Sequence, residues 1–398
     1  MLAEVTWKDF ATRIASAQVT QFTQVADLLN ALGERRDELL AEVTWKDFAL
    51  RVASAEVAQF SQVADLLNAL GKRRDDLLSE VAWKDLAPRV ASAEVAQFTQ
   101  VADLLNALGK RRGDLLSEVT WKDFALRVAS AEVAQFTKVA VLLNALGERR
   151  HVLLDEVAWE DITHRVSAAR VAQLGQLSSF LEVLEERRNQ FVELVDWSPI
   201  ACSIGETADL ADLPMISQLL STLGTQRGLL VEELSKTGHL EKLAARIHKP
   251  PLASFEDIAI FLRALGRPLP SMDSSSLVDA ACKCRGEHLR GLTMLMASLD
   301  DEGRDDLLRA LDWAKLCMKC PIKLGMLLTF GCCLENVYKK GKLSADFAGC
   351  DEVREYLSDN VEQIVCAIEA SYTQAKDSPS FYSGIAKLST IVIKLTRY

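Results

Sequence analysis

The sequence predicts an all-α fold, a right-handed α-solenoid superhelix of about eight helical repeats of 38 residues closed by a C-terminal helical cap. Three observations carry that expectation. Trp7, Trp45, Trp83, Trp121, Trp159 and Trp197 follow one another at intervals of 38 residues. The text between them recurs, with 31 of 38 positions identical between residues 39–76 and 115–152, as tandem duplication of one structural unit would leave it. Within a unit, apolar residues keep helical spacing in two stretches: Trp83, Leu86, Ala87 and Val90, then Val101, Leu104, Leu105 and Leu108.

The first stretch predicts a helix headed by the tryptophan. In the units that read T-W-K-D, Thr44 is placed to cap it, with Asp47 three residues on in the role of the capping-box acid. Pro88 falls inside this helix in the third unit, where a missing backbone donor predicts a local kink. The second stretch ends in LLNALG, so Gly33, Gly71, Gly109 and Gly147 are expected to close that helix in a left-handed conformation. A shorter third element holds Leu77 and Val81, and its phase does not continue into Trp83, so a break is expected near Ala82. No single unit can bury its own apolar face; the next unit must cover it.

Farther along, LEKLAARI from Leu240 matches WKDFALRV from Trp45, FLRALG ends at Gly266, and RDDLLRALDW from Arg304 copies RDDLLSEVAW from Arg74. These matches place tandem helical repeats at 1–270, six regular and one degenerate. A linker with loop composition follows at 271–290, and a degenerate repeat with the helical cap at 291–398.

Hydrophobic residues form 49% of the 398, enough for a packed core. A net charge of −10 is shared evenly, with 23 bases and 28 acids in each of 1–190 and 191–398, so neither half is a basic module drawn to nucleic acid or anionic lipid. The longest apolar stretch, Ile322 to Leu334, is too short to span a bilayer. The first residues repeat the start of the next unit and do not read as a leader, and all nine cysteines lie beyond residue 200, which points to a reducing compartment such as the cytoplasm or an organelle interior.

Catalytic signatures are lacking. His151, His164, His239, His248 and His288 occupy unrelated unit positions, and neither GxGxxG nor GxxxxGK[ST] occurs, so no enzyme activity and no cofactor are expected. Asp75 and Asp76 recur with the repeat and suit a solvated helix start. Cys282, Cys284, His288, Cys317 and Cys320 form the one set with metal-ligand chemistry, although C-x-C is a poor zinc knuckle and buried free thiols fit the pattern better.

The most distinctive polar feature is an arginine pair in each unit: Arg35 and Arg36, Arg73 and Arg74, Arg111 and Arg112, Arg149 and Arg150, Arg187 and Arg188. Stacked units align these into a ladder. It is either a track for phosphates or an acidic partner, or a set of structural arginines that pair with acids such as Asp75 and Glu80 and satisfy helix carbonyls. Six acids balance five bases between Asp75 and Arg112, which favours the structural use.

The 38-residue period and the string FTQVADLLNALG, Phe98 to Gly109, resemble the octotricopeptide group of helical repeats over roughly residues 1–270, a group similar to tetratricopeptide and pentatricopeptide arrays. That resemblance implies organellar RNA binding. Two features depart from it: no PPPEWL-type segment is present, and the first four units are almost the same where a base-reading array varies. The primary expectation is therefore a non-catalytic scaffold that offers an extended surface to a protein partner. RNA binding along the arginine ladder is the alternative, and a sensor segment of a larger multidomain protein is a third.

Overall fold

The computed structural model describes residues 7–236, 238–246, 250–266 and 288–299, with the single positions 277, 280, 307, 355, 359, 360 and 363. Every regular element among them is helical. They belong to two compact units: one of residues 1–169 with 176–196, the other of residues 170–175 with 197–398.

In the first compact unit the first four repeats are built the same way. A head helix starts at the tryptophan, as in Trp45–Ala53, Trp83–Ala91 and Trp121–Ala129. A 3-10 turn leads into a central helix, Phe60–Leu70, Phe98–Leu108 and Phe136–Leu146 in the same repeats. A second 3-10 turn, Gly-x-Arg, opens a short tail helix such as Arg74–Ser79 or Arg112–Ser117. Phe22–Leu32, Phe60–Leu70, Phe98–Leu108 and Phe136–Leu146 stack in series.

The two apolar stretches form the core as their spacing requires. Leu86, Ala87 and Val90 are buried on the head helix, and Val101, Leu104, Leu105 and Leu108 on the central one. Phe22 meets Phe48 of the next repeat edge to face at 5.1 Å, and Phe98 meets Phe124 in the same way at 5.5 Å, so the largest buried rings lock one repeat to its neighbour. Leu77 and Val81 are buried too, and the chain breaks helix between Ser79 and Trp83, about Ala82 as expected.

Two local expectations are corrected. Thr44 does sit at the head-helix N-cap, but its side chain makes no capping bond, and Ala82 and Ala158 hold the same extended backbone without a hydroxyl. The connection itself imposes the geometry. The side-chain cap lies past the head helix, at the 3-10 turn, where the N–H of Glu56 donates to Oε1 of Gln59 at 3.0 Å and the N–H of Glu94 to Gln97 at 3.1 Å. Gly33, Gly71, Gly109 and Gly147 have φ of 55–57° as expected, yet ψ runs from −120° to −131°. That is the first central position of a type II′ turn and not the left-handed helical well, because the chain must pass from the central helix directly into a 3-10 turn. Pro88 leaves its helix at the nine-residue length of its sister Trp45–Ala53, so the lost backbone bond does not shorten it.

The second compact unit carries diverged repeats. Ser198–Thr207, Leu213–Leu223 and Arg227–Lys236 form the sixth, and His239–Arg246 with Phe255–Leu265 the seventh. Leu289–Ser298 packs on Phe255–Leu265 as one central helix packs on the next, which places part of the eighth repeat upstream of the RDDLLRALDW text. Apart from the single positions 277, 280, 307, 355, 359, 360 and 363, that text, the cap and residues 271–287 lie outside the described residues.

Candidate functional site

The arginine ladder resolves into two members with different work. The second arginine of each pair reaches across the repeat boundary to a carbonyl at the end of the following central helix: Arg36 donates to Ala69 at 3.2 Å, Arg74 to Ala107 at 2.9 Å and Arg112 to Ala145 at 3.1 Å. Its guanidinium lies over the glycine that ends that helix. A Cβ on Gly71 would come within 2.7 Å of Arg36, and one on Gly147 within 2.7 Å of Arg112. The cation thereby neutralises the negative end of a neighbouring helix dipole.

The first arginine stays at the surface and pairs with its own tail helix. Arg73 meets Asp76 at 3.0 Å and Arg111 meets Asp114 at 2.9 Å, while Arg35 pairs loosely with Glu38 and covers the Trp7 ring. The acid is the one at i+3, Asp76, where Asp75 or Glu80 was expected. Arg149 has no ion-pair partner among the described residues, and Arg187 pairs with Asp155 of the preceding repeat. In the fifth repeat Glu185 replaces the glycine, holds φ of 46°, and pairs with Arg150, whose side chain is 16% exposed. Arg188 keeps a buried Nε without a partner.

A second arginine series joins the head helices. Arg127 pairs with Glu94 of the preceding repeat at 2.8 Å, Arg89 with Glu56, and Arg165 with Glu132 at 3.8 Å. Arg51, whose counterpart position is Gln18, donates instead to the Ala15 carbonyl, and Arg165 also reaches the Ala129 carbonyl. At the next step the series stops on both sides at once: Arg170 stands where the acid would be and Ser203 where the arginine would be.

The helical spacing that Trp83 shares with Leu86, Ala87 and Val90 places the head tryptophans in line with the buried stripe. Trp7, Trp45, Trp83, Trp121 and Trp159 do match one another, but they are half-buried. The deeply buried ring one turn on is Phe48 or Phe124, and Trp45 and Trp121 stack on those rings. Trp197 is 4% exposed and precedes its helix.

The outer face of the head helices carries the feature that sequence reading passed over. Leu50 and Leu126 are each 58% exposed, and Pro88 occupies the same position in the repeat between them. All three fall outside the buried stripe, so the signal was legible as an apolar residue at a solvent-facing helical position. Between Trp83–Ala91 and Trp121–Ala129 lies a groove of about 520 Å³ whose lining includes Pro88, Ala91, Thr120, Asp123, Leu126 and Arg127.

Among the described residues no three His, Cys, Asp or Glu side chains come together as metal ligands. Of the zinc candidates only His288 is described, next to the helix Leu289–Ser298; Cys282, Cys284, Cys317 and Cys320 lie outside the described residues. In the second compact unit, His239 is buried against Gly205, where any added Cβ would overlap its ring. Desolvation, aided by the Lys242 charge and opposed by Glu206, holds its pKa below the ordinary histidine value. The half-buried Cys202 thiol is pushed up by desolvation and by the Glu206 carboxylate, the opposite of what a reactive thiolate needs.

No helix among the described residues is long and apolar enough to cross a membrane. No protein-family model matches the chain, and no curated protein matches it. The octotricopeptide resemblance therefore rests on the repeat text alone.

Proposed function

We propose that this chain is a non-catalytic scaffold that presents a repeated surface to a protein partner. The observation that carries the reading is the placement of the ladder's second arginines. Arg36, Arg74 and Arg112 are spent on carbonyls of the next repeat, and two of their surface neighbours are already paired with carboxylates, Arg73 with Asp76 and Arg111 with Asp114. A phosphate track needs cations free to displace counterions along its length. An exposed apolar position repeated on successive helices, by contrast, is what a protein interface uses.

The test is affinity capture by the full chain with and without ribonuclease, read together with direct binding of single-stranded RNA. The scaffold reading expects capture of a protein that survives nuclease and is indifferent to Arg73→Ala and Arg111→Ala. Capture that disappears with nuclease and with those two substitutions would establish RNA binding instead.

A further inference from the structure

We infer that the docking surface is the outer face of the head helices in repeats two to five, and that its occupant is a cationic amphipathic helix of a partner protein. This deepens the scaffold reading and rests on it.

The apolar half of the surface is the series Leu50, Pro88 and Leu126. One exposed leucine needs no explanation. Here the same solvent-facing position is apolar in three successive repeats, and even the repeat that gives up a backbone bond keeps an apolar ring there. The head helices carrying these residues touch in series, and helices in contact have axes about 8–10 Å apart. The groove of about 520 Å³ opens between two of them, with Pro88 and Leu126 in its lining.

The polar half sets the sign of the partner. The residue three before each head tryptophan is an exposed glutamate from Glu42 to Glu156, and the residue two after it is an exposed aspartate from Asp47 to Asp161. With Glu160 in the fifth repeat, nine carboxylates face three lysines, Lys46, Lys84 and Lys122. Positions 46 and 47 lie four and three residues before 50 on one helix, so charge and leucine share a face. None of these carboxylates or lysines has an ion-pair partner among the described residues. Of the arginines on the same helices, Arg89, Arg127 and Arg165 are bound to Glu56, Glu94 and Glu132, and Arg51 donates to the Ala15 carbonyl, so the nine carboxylates still outnumber the lysines and Arg51. An acidic face with a central apolar row is complementary to a basic helix with an apolar stripe. The spacing agrees: residues seven apart on a helix rise about 10.5 Å, close to the separation of successive head helices.

The experiment measures fluorescence anisotropy of labelled Leu/Lys peptides against the full chain. One peptide carries leucine every seventh position, a second has the same composition in shuffled order, and a third replaces lysine by glutamate. The first should bind, roughly tenfold or more tighter than the shuffled one, and the glutamate peptide should not bind. Leu50→Ser with Leu126→Ser should weaken the first peptide roughly tenfold, and Asp85→Lys with Asp123→Lys should do the same while flattening its salt dependence. All four positions are exposed, so circular dichroism should be unchanged. Equal binding of ordered and shuffled peptides, or binding untouched by the leucine substitutions, would overturn the surface assignment. If nuclease-resistant protein capture persists while the Leu/Lys peptide fails to bind, this surface is wrong and the scaffold reading stands. Nuclease-sensitive capture removes the scaffold reading itself.

Discussion

The first compact unit and the second solve the same packing problem with different freedom. In the first, near-identical repeats meet through near-identical interfaces, and the glycine that ends each central helix has the preceding repeat's arginine close over it at Gly71, Gly109 and Gly147. In the second, the helices persist while the fittings change. Gly266 adopts an ordinary left-handed conformation under Arg227, Trp197 sinks into the core ahead of its helix, and a buried histidine presses on Gly205. The difference teaches that the helices survive divergence while the contacts across a repeat boundary are exchanged. Glu185 in the glycine's place turns the unchanged arginine, Arg150, from a helix end to a carboxylate, and Arg170 and Ser203 replace both members of an ion pair together.

The largest contrast should be in tryptophan. Trp197→Ala, at 4% exposure, should cost about 3–5 kcal/mol, whereas Trp83→Ala, half-buried on the outer edge of its helix, should cost about 1–2 kcal/mol. Urea unfolding of the two variants checks this, and equal costs would mean that both regions bury the ring alike.

Next in size come the glycines. Gly71→Ala combines forbidden backbone with a Cβ 2.7 Å from Arg36, and should destabilise by about 1–3 kcal/mol. Gly33→Ala meets the same φ with nothing within 4 Å, so it should cost measurably less. The gap between them, read from thermal unfolding, isolates the contribution of the arginine overhead; no gap would show that the arginine yields freely.

The smallest expected effect belongs to the second compact unit. Because the His239 pKa is lowered in the folded state, the unfolded chain takes up its proton first as pH falls through the ordinary value of about 6.5, and stability is lost below that point. His239→Leu should remove that part of the acid slope. A slope unchanged by the substitution would assign it to other groups.

Periodicity made the fold legible because buried stripes leave a helical signature that duplication repeats. Leu86, Val90, Leu104 and Leu108 are core for the reason their spacing announced. What did not show is what depends on partners in other repeats. Nothing local marks Arg74 as a bridge to Ala107 or distinguishes it from Arg73, since the bonded atom lies 33 residues away. The type II′ geometry at Gly71 stayed hidden because positive φ alone is shared with the left-handed well. Of the candidate surface, the acidic positions and Leu50 were present in plain text, but their common face emerges only once the head helix is phased against its buried side.

The central claim is that each repeat is held only by its neighbours, through bonds that any correctly spaced copy can make. Deleting residues 75–112 removes one 38-residue period and joins Arg74 to Gly113. Arg74 then stands where Arg112 reached the Ala145 carbonyl, and Arg127 stands opposite Glu56 in place of Glu94. Equilibrium unfolding of this variant, followed by circular dichroism, should show a folded, cooperative protein with the parent's helicity per residue. Loss of helicity or of the cooperative transition would contradict the account, because it would mean that the deleted repeat belonged to a shared core.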